Sequence, residues 1–414
     1  MSGGLEGDNI PDVEDVAVGP LQGIRVIEAG GVVAASFGAR LLADMGAEVI
    51  KIEAPDRLDP LRYWGRARID DQALWWPIQS RNKRLITLNL RDPAGADLLV
   101  RLCERSDVFI ENFRPGTLER WNIGCDRLLE ANPGLVIARI SGFGQTGPYA
   151  HRPAYAAVAE AMGGIRYING YPDLPPPRSG LSLGDSLAGM FATLGVLAAL
   201  LERRSSGLGQ VIDTALTESC LALMESSLVE YDMLGEVRKP SGTRLAGIAP
   251  SNIFRSRDDH WVVIAANQDQ MFVRLCEVMG RPDLATDERF ADHVRRGENQ
   301  DEIEQIVADW VARHDIYELD HLLAAADIVA GPIYSVEDIF KDPQYQARDM
   351  LVDHHTDELG SFRAQGVVPK FSRTPGSVRW AGAWQAGADN DMVYRDLLGI
   401  DDAQLAELRA GGVI

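Results

Sequence analysis

The chain has 414 residues, 46% hydrophobic and 25% charged, with 41 basic against 61 acidic residues and a net charge of −20. Its length leaves room for two or three domains, and its composition excludes wholesale disorder. The acidic balance argues against nucleic acid and anionic lipid as partners, because a polyanion is repelled unless a local basic patch intervenes.

Residues 1–20 carry five acidic side chains and no basic one, the reverse of a secretory leader, and read as an acidic flexible tail on a cytoplasmic protein. Gly23 to Glu28 then reads as a buried strand, Ala34 to Met45 as a helix and Ala47 to Glu53 as a second strand. This βαβ unit implies parallel pairing with a right-handed crossover. The pattern repeats with strands at Arg84–Leu90, Val108–Glu111 and Leu135–Ser141 and helices at Ala94–Arg105 and Leu118–Glu130. Together these predict a doubly wound α/β layer.

Helices follow at Ala156–Met162, at Ser186–Arg204 and, apolar on most faces and expected to be buried, at Ala215–Leu234. The apolar run Met190 to Leu201 is only about 12 residues, short of a bilayer span, so no membrane segment is expected. The Pro, Gly and Arg of Arg238–Pro250 mark a linker. An α+β segment follows, with a strand at Trp261–Ala265 and helices near Gln270–Met279, Glu302–Arg313 and Tyr317–Ala326. Strand-like sequence resumes at Leu351, and an amphipathic helix, Ala403–Ala410, ends the chain.

Several motifs bear on chemistry. Asp185, between Gly184 and Ser186 at the mouth of an apolar helix, reads either as an N-cap or as a nucleophile sheltered by the helix N-terminus. Glu53 ends the second strand where a ribose-binding acid would stand, but the turn Ala29-Gly30-Gly31-Val32-Val33-Ala34 lacks Gly-x-Gly-x-x-Gly, which disfavours a nicotinamide cofactor. Ser80-Arg81-Asn82-Lys83-Arg84 reads as a solvated basic face or, alternatively, as a phosphate-binding rim. Glu111-Asn112-Phe113-Arg114-Pro115-Gly116 and the glycine-rich Ser141–Pro148 both lie at predicted strand ends, where open α/β sheets bind ligands. The second of these loops lacks the Gly-Lys-Ser/Thr of a P-loop, and Ser141 is not in a Gly-x-Ser-x-Gly elbow. The four cysteines and seven histidines show no metal-ligand spacing, so no metal is expected and the thiols read as reduced.

Taken in order, several segments resemble the class III CoA transferases, the CaiB/BaiF family. They are Leu21–Val26, Gly46–Glu53, Asn82-Lys83-Arg84, Glu111–Gly116, Ser141–Gly144, Gly184-Asp185 with Ala188-Gly189, and Gly207–Gln210. The resemblance implies a large Rossmann-like domain with a parallel sheet plus a smaller α+β domain, in an interlocked homodimer. On that division residues 21–235 begin the large domain, 236–250 link, 251–335 form the small domain, and 336–414 link and return. It also implies that Asp185 attacks an acyl-CoA thioester, forming a mixed anhydride and then an aspartyl-CoA thioester, before a carboxylic acid accepts the CoA. CoA and acyl-CoA are then substrates, with no permanently bound cofactor.

By the same resemblance Asn112, Phe113 and Arg120 fall at CoA-contacting positions, Arg91 replaces a basic contact, and Tyr155 matches an active-site tyrosine. Val32 and Val33 join this binding set, although Val33 stands where the formyl-CoA branch has glutamine. Ala54 and Ala156 depart from that branch too, which disfavours formyl-CoA:oxalate transfer. Residues 241–250 replace its glycine-rich loop, with Arg244 as a candidate partner for an acceptor carboxylate. The alternatives are an α-methylacyl-CoA racemase, disfavoured because Tyr155 replaces the required histidine, and a non-catalytic acyl-CoA-binding relative.

Overall fold

A computed structural model describes residues 19–414, so nearly all of the acidic segment expected over 1–20 lies outside the described residues. Two compact units emerge. The larger comprises the chain up to Gly163, Ser179–Leu223 and Ala347–Ile414, and the smaller comprises Gly164–Arg178 and Met224–Gln346. Segments 164–178, 224–235 and 336–346 thus group with the smaller unit, unlike the division drawn from sequence.

The larger unit is organised by six parallel strands: β1 (Arg25–Glu28), β2 (Glu48–Glu53), β3 (Lys83–Thr87), β4 (Val108–Glu111), β5 (Val136–Ser141) and β6 (Val211–Ala215). Their spatial order is β3-β2-β1-β4-β5-β6. β1 to β5 are buried along most of their length, as expected of strands covered on both faces. The order reverses between β1 and β4, so the chains leaving those two strands diverge and open a crevice at their C-terminal ends. Side chains from the far C-terminus, among them Tyr394, Leu398, Leu405 and Ile414, complete the core around Ile27, Ile50 and Phe109.

Two helices bring the ends of this sheet together. Helix α1 (Ala34–Asp44) follows β1, and the long helix Leu183–Ser206 packs along it in the same direction. They meet at glycines: a Cβ on Gly189 would lie 2.7 Å from the Ala34 carbonyl oxygen, and one on Gly38 would lie 2.9 Å from the Gly189 carbonyl. The Thr193 hydroxyl reaches the Gly38 carbonyl across the same contact (3.2 Å) while also lying 2.8 Å from the Gly189 carbonyl of its own helix. Both helix N-termini therefore lie at one end of the pair. Among the described residues the long helix is the one long and apolar enough, by length and composition, to cross a membrane, with a mean hydropathy of 1.6; 56% of its apolar window is buried. Its length of 24 residues exceeds the apolar run that marked it.

The helix expected over 215–234 is not continuous. It resolves into the edge strand β6, a helix at Leu216–Leu221 and another at Ser227–Leu234, and this last has no buried residue. Likewise 118–130 splits into Thr117–Arg120 and Cys125–Ala131 where Asn122 adopts a positive φ of 57° ahead of Gly124. In the smaller unit, three antiparallel strands (Ser251–Arg255, Trp261–Ala265 and Ala330–Pro332) pack against helices around Leu275, Val307 and Leu319.

The basic segment Ser80–Arg84 is neither a solvated face nor a phosphate rim for most of its length. Ser80, Arg81, Asn82 and Lys83 are buried. Arg81 grips Asp44 with two nitrogens (2.6 and 3.0 Å), and Asn82 donates to Asp44 and to the Ser377 carbonyl (both 2.9 Å). The charges anchor the C-terminal segment to the sheet instead of facing a ligand.

Candidate active site

The crevice at the β1/β4 reversal is part of a cavity of about 700 Å³ within the larger unit. Chain leaving the C-terminal ends of five strands contributes to it: Gly30–Ala34 after β1, Ala54–Pro60 after β2, Leu88–Arg91 after β3, Asn112–Pro115 after β4, and Ser141–Gly142 after β5. Ala150, Arg152–Tyr155 and Asp185 also contribute to the lining. Seven of the residues singled out from sequence meet here: Val32, Val33, Arg91, Asn112, Phe113, Tyr155 and Asp185. Arg120 does not line the cavity; its guanidinium donates to the Thr117 hydroxyl at 2.8 Å.

Asp185 is the third residue of the long helix, which starts at Leu183, with Ser182 as N-cap. The N-cap reading of Asp185 is therefore overturned, since Ser182 holds that place and Asp185 is the third helical residue. A first-turn carboxylate is instead stabilised by the helix dipole. It is 8% exposed and reaches the cavity edge. Gly184 lets the helix start close against its surroundings, because a Cβ there would lie 3.1 Å from the Ala156 carbonyl. Behind it stands Glu160, buried, with an oxygen 3.4 Å from the Gly184 N–H. The Cys220 thiol is pushed up to about 11 by burial and by the Glu160 and Asp185 carboxylates. It therefore stays protonated and is a poor nucleophile.

Asn112 has a specific task. Its amide accepts from the Gly31 N–H (2.9 Å) and donates to the Gly31 carbonyl (2.8 Å), stapling the turn after β1 to the end of β4. A Cβ on Gly30 would lie 2.7 Å from the Asn112 oxygen and 2.3 Å from the Ala35 Cβ, so only glycine fits. Phe113 packs edge-on against Trp121 (5.0 Å between centroids), which also lines the cavity. Tyr155, 67% exposed, stands at the N-cap position of the helix Ala156–Met162 without a side-chain cap bond.

Beneath the turn lies a buried ionic network. The Lys51 ammonium contacts Glu28 (2.7 Å), Asp59 (2.9 Å) and the Gly30 carbonyl (3.0 Å). Burial works against its charge, but Asp59, Glu28 and Glu53 outweigh it and raise the lysine above its ordinary value. Lys83 shares Glu28 (2.7 Å), and burial brings it down to about 8. Glu53, weighed from sequence as a ribose-binding acid, is taken by Arg62 (2.6 and 2.8 Å) and the Asp59 N–H (3.0 Å). Lys51 and Asp59 were invisible as a pair in the sequence, being apart in the chain and unmarked by any motif.

The rim is basic. Arg57, Arg91, Arg114 and Arg152 all line the cavity. Arg91 reaches Asp56 (2.5 Å), and Arg152 lies 4.2 Å from the centroid of the Tyr149 ring. No histidine is among the described residues lining the cavity, and no described group of His, Cys, Asp and Glu could hold a metal ion. In the smaller unit Arg244, the candidate acceptor partner, is engaged by Asp301 and, at 2.7 Å, by Glu304. Those two carboxylates already occupy the guanidinium that was expected to meet a substrate.

The family model for CoA-transferase family III matches residues 21–390. This chain belongs to CoA-transferase family III. It is 47% identical to the succinyl-CoA–D-citramalate CoA-transferase of Chloroflexus aurantiacus over 95% of this chain and 98% of that protein. It is 36% identical to the acetyl-CoA:oxalate CoA-transferase of Acetobacter aceti over 81% of this chain and 86% of that protein. Among solved structures, a CaiB/BaiF family protein from Brucella suis superposes with a TM-score of 0.81 at 31% identity, covering 92% of this chain and 99% of that one. As a family III enzyme, the chain is a CoA-transferase, and its mixed α/β fold with a parallel sheet agrees with that placement.

Proposed function

We propose that Asp185 is the nucleophile with which this CoA-transferase moves CoA from an acyl-CoA thioester to a carboxylic acid. The observation that carries the reading is the meeting of Asp185, in the first turn of the long helix, with the strand-end loops of the switch point in one cavity. A carboxylate oxygen attacks the thioester carbonyl carbon and the C–S bond breaks, leaving an aspartyl–acyl anhydride and CoA thiolate. The thiolate then attacks the Asp185 carbonyl carbon, which releases the donor acid and leaves an aspartyl-CoA thioester. The acceptor carboxylate repeats the two steps in reverse, and Asp185 regains its charge. No proton changes hands, which suits a cavity whose described lining includes no histidine. A racemase reading lacks support for the same reason, because α-proton exchange requires two placed bases.

Substrates of the dicarboxylic class fit best. The succinyl-CoA-dependent relative supports this, and so do four arginines on the rim, suited to phosphates of CoA and to a second carboxylate. The test supplies succinyl-CoA or acetyl-CoA with mono- and dicarboxylic acceptors, adds hydroxylamine, and maps the modified peptide by mass. Succinyl-CoA with a dicarboxylate should turn over fastest, with a hydroxamate at Asp185. Brisk CoA transfer with no adduct at Asp185 would overturn the covalent step. Val32, Val33, Arg91, Asn112, Phe113 and Tyr155 are proposed to contact the CoA thioester; Arg120 has no support from its position.

The interlocked homodimer is proposed as well. Leu228, Val229, Tyr231, Met233 and Leu234 are all exposed on one short helix, an apolar surface of the kind that marks association. Sedimentation equilibrium should return twice the 45.3 kDa chain mass; a monomer at micromolar concentration would rule the dimer out.

A further inference from the structure

Val32 is out of place by the rules of the backbone. It is β-branched and has no hydrogen-bonding side chain, yet it holds a φ of 63°, a left-handed conformation that such residues avoid. Residues forced into this region persist only where the surroundings over-determine them, and they concentrate at functional sites. Val32 lines the cavity and begins the turn into α1, whose first residue, Ala34, packs against the long helix bearing Asp185.

The holding contacts are specific. The Val32 N–H donates to Asp59 Oδ1 (3.2 Å), an oxygen that also accepts from the Leu61 N–H (2.9 Å). The other Asp59 oxygen is fixed by Lys51 at 2.9 Å, and the same ammonium reaches back to the Gly30 carbonyl. Asn112 pins Gly31 between these two points. Each of three successive residues is thus tied by a polar group whose own position is set from below.

We propose that Asp59, anchored by Lys51, is a positioning residue that keeps Val32 left-handed and so sets the wall against which the acyl thioester is presented to Asp185. This rests on the reading of Asp185 as nucleophile. Asp59 also lines the cavity, and its proposed effect passes through the Val32 backbone. An asparagine at 59 has one acceptor oxygen where the carboxylate has two, and buried Lys51 claims it. The amide NH₂ is then turned on the Val32 N–H and the hold is lost.

The test uses full-length enzyme with succinyl-CoA and a dicarboxylate acceptor. Asp59→Asn should lower kcat, per site titrated by the Asp185 adduct, at least about tenfold. KM for the thioester should change far less than kcat, because, of the proposed CoA contacts, only Val32 is shifted while Arg91 and Phe113 are untouched. Glycine adopts a positive φ without strain. In a Val32→Gly background the added effect of Asp59→Asn should therefore shrink to about twofold or less. A role confined to balancing the Lys51 charge would lower Tm and the titrated active fraction, leave kcat per site unchanged, and show the same loss in both backgrounds; that result would overturn the inference. If Asp59→Asn does not fold, Asp59→Glu keeps the charge opposite Lys51 while displacing the oxygens, and the same comparison applies. Failure of the underlying reading looks different: the wild-type protein would give no Asp185 adduct at all.

Discussion

Asp185→Asn is expected to lower kcat for CoA transfer by about 10⁴-fold or more, the scale on which losing a covalent nucleophile is felt. The amide is nearly isosteric, so the cavity keeps its shape, but it cannot attack a thioester and form an anhydride. The affinity for acyl-CoA should change little, since the arginines, Asn112 and Phe113 remain. The first-turn dipole interaction, about 0.3–1 kcal/mol, is lost with the charge. Stopped-flow and steady-state CoA-transfer assays with purified, folded variant check this. Activity above a tenth of wild type would remove Asp185 from the mechanism.

Lys51→Met is expected to be the costliest single change to the fold, about 3–5 kcal/mol, because removing one partner leaves buried charge uncompensated. Lys51 is fully buried and touches Glu28 and Asp59. With methionine there, Glu28 would keep only Lys83, itself brought down to about 8 by burial, and Asp59 would keep only backbone N–H donors. Urea denaturation monitored by circular dichroism should show a lowered midpoint with an unchanged slope. A loss under about 1 kcal/mol would mean that water or rearrangement compensates the network.

The sheet was largely legible. Val26-Ile27 and Val49-Ile50 are apolar because both faces of a parallel sheet are covered, and that signal is local. β6 was not legible: Val211, Ile212 and Asp213 are at least partly exposed on the edge, so no apolar run marks them, and only Ala215 fell within an expected element, the helix after it. Motif order led to Asp185 and to six further residues that the fold brings together in one cavity. Their supports were not, because Arg81 answers Asp44 and Lys51 answers Glu28 and Asp59 only through the fold. Charge runs state how much charge there is and never where its partner sits. Arg120 shows the same limit in reverse: its side chain turns to Thr117, a choice made by the one-turn helix it ends.

The glycine contact between α1 and the long helix divides the protein's evolutionary labour. The spacing between the Val32 turn and Asp185 is set where main chain meets main chain closely, at Ala34, Gly38 and Gly189, with only Thr193 and Phe37 side chains beside the contact. The rim arginines stand on loops that leave the strands separately, at Arg57, Arg91, Arg114 and Arg152. If these arginines hold the acid as proposed, changes on the rim should alter acceptor preference more than the chemical step. An engineer seeking a new acceptor would begin at Arg57, Arg114 and Arg152, leaving alone the two helices and the loop residues Asp59 and Asn112 that hold the turn.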